Sequence, residues 1–134
     1  AAVTPLAHAS ILTGLFNHEH GLRVMSAAGG YRLPRAKRSF FRTLREEGWT
    51  TGAVQSAFPV SSWFGLDQGF DHFDQLGDEM HGANWAITED QRRSDDTTDR
   101  ALAFLAECER PWALWIHYWD PHDGILVPPA SELR

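Results

Sequence analysis

Thr4-Pro5-Leu6-Ala7-His8-Ala9-Ser10-Ile11-Leu12-Thr13-Gly14 is the stretch from which the rest of the chain is read. A hydroxyl residue suited to capping, a proline at the first helical position and a glycine at the stop predict a short helix entered at Thr4 and left at Gly14. The Thr4 hydroxyl then lies at the positive end of that helix, where free N–H groups and the helix dipole favour an anionic ligand or an alkoxide. His8 follows one turn further in on the same face. On these residues alone, a capped helix with an incidental histidine is the plainer alternative.

Outward from Gly14, the run from Leu15 to Arg23 is polar and rich in imidazole. His18 and His20 stand two apart and point to opposite sides if the segment is extended, which makes them poor joint ligands for one metal. Ser39 caps a predicted helix over Phe40–Glu47, with Phe40, Phe41 and Leu44 expected in the core and Gly48 as the stop. Trp49–Ser56 reads as a strand bounded by Gly48 and Pro59. Residues 61–78 hold many aromatics without a period, so an ordered excursion packed over the sheet is expected. Asp67, Asp71 and Asp74 lack the spacing and the bidentate glutamate of an EF-hand.

A helix is predicted from about 94 to 109, with Ser94 as cap, Asp95 and Asp96 complementing the dipole, and Ala101, Leu102, Leu105 and Cys108 facing a core. Trp112-Ala113-Leu114-Trp115-Ile116-His117-Tyr118 is a near-continuous apolar run, as expected of a strand buried on both faces. Alternation of helix and strand over short links predicts an α/β fold. The segments 49–56 and 112–118 are expected as neighbouring or near-neighbouring parallel strands crossed by the 94–109 helix. His122, in Asp120-Pro121-His122-Asp123-Gly124, then falls beyond a carboxyl end, on the edge where open α/β sheets bind ligands.

The 134 residues, 43% of them hydrophobic and including six Trp and eight Phe, suffice for one core. A net charge of −6, from 12 Lys and Arg against 18 Asp and Glu, argues against nucleic acid as a partner. No stretch approaches the roughly 20 apolar residues of a membrane span, and no signal-peptide pattern opens the chain. The single cysteine, Cys108, forms no internal disulfide. It reads as a small buried apolar residue, not a reactive thiol.

A hydroxyl residue, three residues, a basic residue and then Ala-Ser-Ile-Leu-Thr-Gly resembles the nucleophile segment of the sulfatase family in the alkaline phosphatase superfamily. Phe64-Gly65-Leu66-Asp67-Gln68-Gly69-Phe70-Asp71-His72-Phe73-Asp74 and Trp115-Ile116-His117-Tyr118-Trp119-Asp120-Pro121-His122-Asp123 agree with it in order. The resemblance implies a mostly parallel sheet flanked by helices and a partial catalytic domain over 1–134, truncated at both ends. It implies a sulfate or phosphate ester as substrate, small or on a glycan. It places Thr4 at the nucleophile, His8 at the basic position, and His20 and Arg23 at the substrate; His122, at the carboxyl end of a buried strand, can serve as the proton donor that the leaving group needs. It also implies a divalent metal, calcium, magnesium, manganese or zinc, with Thr4 as one ligand and carboxylates outside this chain as the others.

The chain departs from the family in three places. Sulfatases make a formylglycine from Cys or Ser. Thr4 is neither, which points to direct alkoxide attack as in the superfamily's phosphodiesterases. His8 stands where Arg is usual, so charge there depends on pH. Gln55-Ser56-Ala57-Phe58-Pro59 stands where the family has Gly-Lys-Trp-His-Leu-Gly, the source of a substrate-binding Lys and His. A sulfatase-like domain without catalysis, binding anionic ligands or a partner protein, is the alternative.

Overall fold

The computed structural model describes residues 3–23, 32–76, 91–109, 111–120 and 122. In chain order these form α1 (Thr4–Thr13), α2 (Asn17–His20), α3 (Phe40–Glu46), β1 (Thr50–Val54), β2 (His72–Asp74), α4 (Ser94–Glu107) and β3 (Trp112–Ile116). Two single 3-10 turns, Phe58–Val60 and Ser62–Phe64, follow β1. The sheet has the order β2-β1-β3, and both pairings are parallel. Val54 faces Asp74 on one side and Ile116 on the other. The expected parallel neighbours are therefore β1 and β3, and α4 packs on both. β2, three residues between turns, is too short to show a strand period in the sequence.

Strand alternation divides the sheet into two faces. Gly52 faces α4, and a Cβ there would come within 2.6 Å of the Phe104 ring, so the strand is open at the point where the helix lies on it. Ala53 faces the other way, into a core with Ala9 and Leu12 of α1 and with Leu22, Leu33, Val60, Phe64, Leu66 and Phe70. Each buried Leu, Val or Phe side chain among these contributes about 1.5–3 kcal/mol. Trp115 and Phe73, register partners of Ala53, lie on the same face, and both pack on the Phe70 ring.

Local signals hold α1 and α3 where the sequence puts them. Gly14 stops α1 in the left-handed conformation, φ 70°, with its N–H donated to Ser10 C=O. Ser39 Oγ accepts from Arg42 N–H at 3.1 Å and donates to Gln68 C=O at 2.6 Å, so the cap also ties α3 to the aromatic excursion. That excursion is packed, with Phe64, Leu66 and Phe70 buried.

Several expectations are corrected. Phe40 is 60% exposed, because two adjacent helical residues point about 100° apart and only Phe41 turns toward Phe70. On α4 the inward line runs through Thr97, Ala101 and Phe104, and Leu102 is 57% exposed. Cys108 is half-buried. Every residue of β3 is half-buried, not closed off on both faces. Among the described residues β3 is an edge strand, and an edge strand keeps one flank open.

Candidate active site at the carboxyl ends of β1 and β3

Thr4 is the first residue of α1, and the cap position belongs to Val3, one residue earlier than expected. Val3 has extended backbone and no side chain that could accept a hydrogen bond, and Pro5 has no N–H. The first turn of this ten-residue helix is therefore not closed by a side chain, which leaves its N-terminal N–H groups for solvent or a ligand. Thr4 itself is half-buried.

His8 leans back over that turn. Its Nδ1 donates to Thr4 C=O at 2.9 Å, which fixes the tautomer and leaves Nε2 with its lone pair. The ring lies 5.5 Å from Trp115 and meets His117 edge-on at 5.1 Å. Burial lowers the His8 pKa, and the bond to Thr4 only partly offsets this. The basic position is therefore neutral at pH 7.

His117 follows β3, and its N–H donates to Val54 C=O at 3.0 Å, so the β1–β3 pairing continues one residue past the strand. Its Nδ1 lies 3.0 Å from Ser56 Oγ. Burial, and then the neighbouring His8, push its pKa down to about 4. Trp119 lies 6.0 Å further on, and the exposed His122 ring stacks on Trp119 at 4.1 Å and 7°. A run of ring contacts thus joins His8 to His122.

His20 and Arg23 sit differently. The segment from Asn17 is a helical turn rather than extended chain, with His18 exposed and His20 fully buried. His20 Nδ1 accepts from Leu22 N–H at 3.1 Å. Its Nε2 faces Ser10 Oγ at 3.2 Å and Asn17 Oδ1 at 3.3 Å. With both nitrogens engaged inside the chain, this ring holds α2 against α1. Arg23 is exposed.

Three acidic residues are tied to other parts of the fold, although the buried Oδ2 of Asp120 has no hydrogen-bond partner. Asp71 Oδ2 accepts from the N–H and the hydroxyl of Thr51, Asp74 pairs with Arg92 and Arg100, and Asp120 Oδ1 takes the Ser94 N–H at 3.0 Å. That last bond caps α4 from a distant loop, so Ser94 is its first residue rather than its cap. Among the described residues no group of three or more His, Cys, Asp or Glu could hold a metal ion. The described residues alone therefore do not make up the expected metal site.

His117, which meets His8 and Ser56, and Gln55 beside it lie in stretches the sequence reading quotes without giving these residues a role. The available signal is alternation: two residues beyond Trp115 on β3 and beyond Ala53 on β1, the chain is still on the α1 face.

No family model matches the chain, and no curated protein matches it. Among solved structures, that of BT4656 in complex with its substrate D-glucosamine-2-N,6-O-disulfate superposes with a TM-score of 0.66 at 24% identity, over 91% of this chain. The fold is a sulfatase-like α/β fold. The chain spans 26% of the length of that protein, and at this identity the likeness carries the fold alone. No helix among the described residues is long and apolar enough to cross a membrane.

Proposed function

We propose that the chain carries the nucleophile segment of a metal-assisted hydrolase of sulfuric or phosphoric esters. Convergence supports this most: the open N-terminus of α1, His8 and His117 meet at the carboxyl edge of a parallel sheet, where such sheets bind ligands. The structural neighbour's substrate, a sulfated amino sugar, agrees with the ester class.

In this reading the N–H groups of α1 hold the equatorial ester oxygens, and Arg23 offers its guanidinium to an anionic oxygen. Neutral His8, one turn from Thr4, takes the hydroxyl proton through Nε2. Thr4 Oγ attacks sulfur or phosphorus, the bond to the alcohol oxygen breaks, and His122 gives the leaving oxygen its proton. Water then hydrolyses the Thr4 ester. The cation's remaining ligands would come from outside the described residues.

One observation favours a second reading, an anion-binding domain without turnover: the lack of a carboxylate cluster among the described residues. Assaying the protein, made without any sulfatase-maturing enzyme, on aryl sulfate and aryl phosphodiester with and without chelator decides between them. Turnover that chelator abolishes is expected. Chelator-insensitive turnover contradicts the metal, and anion binding without turnover selects the second reading.

A further inference from the structure

Residues 32–45 hold six of the chain's 12 Lys and Arg and no Asp or Glu, although the chain as a whole has a net charge of −6. Four of the six, Arg35, Arg38, Arg42 and Arg45, line one open groove of about 810 Å³ between α3 and residues 67–70. The floor of this groove is fixed. Ser39 Oγ donates to Gln68 C=O, and a Cβ on Gly69, φ 101°, would come within 2.4 Å of Arg42 N, so loop and helix touch backbone to backbone. Above that floor Arg35, Arg38 and Arg45 are exposed and Arg42 is half-buried.

The carboxylates facing these groups are few and in solvent. Arg38 and Arg42 share Glu46, Arg45 lies 4.0 Å from Asp71, and Asp67 also lines the groove. Exposed pairs of this kind contribute little and exchange readily. Among the described residues Arg35 makes no ion pair.

A single carboxylate from outside would only exchange for Glu46. A short chain of phosphates brings several charges at once and offers each guanidinium fork a pair of oxygens. The groove is far larger than one tetrahedral anion. A long polyanion such as a nucleic acid would meet the acidic excess of the rest of the chain.

We propose that this groove is a second anion site, which binds a compact oligophosphate through Arg35, Arg38, Arg42 and Arg45. None of the four belongs to the candidate active site. The groove adjoins that site through two rings, Phe70 in its wall and Trp115, which packs between Phe70 at 5.9 Å and His8 at 5.5 Å. The proposal therefore stands apart from the hydrolase reading.

Calorimetric titration of the full chain with inorganic tripolyphosphate, adenosine triphosphate and orthophosphate tests it. Tripolyphosphate should bind more tightly than orthophosphate. Equal affinity for tripolyphosphate and the nucleotide supports a site for phosphates alone, and a tighter nucleotide supports one for a nucleotide's phosphate tail. Arg35→Gln/Arg45→Gln should weaken tripolyphosphate binding at least about 10-fold with the melting temperature unchanged, and Arg35→Lys/Arg45→Lys should recover only part of the loss, because the charge returns without the fork. No binding by the wild type, orthophosphate bound as tightly as tripolyphosphate, or unchanged affinity in the Gln variant overturns the proposal. A loss in Arg23→Gln but not in the groove variant places the anion at the candidate active site and also overturns it. Should the double variant not fold, Arg35→Gln, which breaks no ion pair, decides by the same loss or its absence.

Discussion

β1 is flanked by two polar clusters built on opposite terms. Toward β2 and α4, Arg92, Asp74, Arg100 and Asp96 close a ring of ion pairs at 2.7, 3.1, 3.0 and 3.3 Å, two charges of each sign. Toward β3 and α1, His8, His117, Ser56 and Gln55 carry no charge at neutral pH and leave hydrogen-bonding capacity unused. The first cluster pairs charge with charge, although Arg92 Nη1 is buried without a hydrogen-bond partner, and it ties α4 to β2. The second is neutral throughout, and in the reading proposed above it is the side of β1 that meets the ligand.

The largest expected effect falls at the start of α1, which adjoins the second cluster through the His8 bond to Thr4 C=O. Thr4→Ala should lower kcat by at least about 10³-fold in steady-state assays of the full-length protein, since a missing nucleophile is not replaced by the surrounding electrostatics. Its melting temperature should stay close to wild type, because the Thr4 hydroxyl caps nothing. Activity retained in Thr4→Ala would contradict Thr4 as the nucleophile and with it a catalytic site beside the second cluster.

The ion-pair ring should respond the other way. Asp74→Ala leaves Arg92, 5% exposed, short of its nearest carboxylate and should cost about 3 kcal/mol in urea unfolding. Sulfate or phosphate binding should be unaffected. Loss of anion binding in this variant would move the site to the other side of β1.

Acid should sharpen the contrast with a comparable or smaller effect. His117 in the fold takes its proton only near pH 4, whereas the unfolded chain takes it near 6.5. Stability from this neutral ring is intact above pH 6.5 and is lost as pH falls from 6.5 toward 4, by at most about 3 kcal/mol. Urea unfolding across that window should show the slope in wild type and a shallower one in His117→Gln.

Much of the fold is legible because its signals are local. Pro5 and Gly14 bound α1, Ser39 caps α3, and β1 and β3 stand out as apolar runs between breakers. What escapes is set by distant partners. β2 exists because its three residues pair with β1, and α4 is capped by Asp120, 26 residues away. The inward line of α4 depends on Phe104 finding Gly52 in another element. In the candidate site, Thr4, His8 and His122 are expectations from the family resemblance and the strand end, whereas the contact of His117 with His8 and Ser56 depends on which strand ends adjoin. His20 shows the converse: its motif suggests a ligand residue, and three local hydrogen bonds hold it as a strut.

The central claim of the proposal is that the neutral cluster beside β3, and not the ion-pair ring, meets the ligand. Titrating the full chain with sulfate and then phosphate while following imidazole ¹⁵N shifts tests it most directly. The account predicts that the His8 and His117 resonances move together with one dissociation constant, while buried His20 and the β2 residue His72 stay fixed. Shifts at His20 or His72 with His8 and His117 unmoved would contradict it.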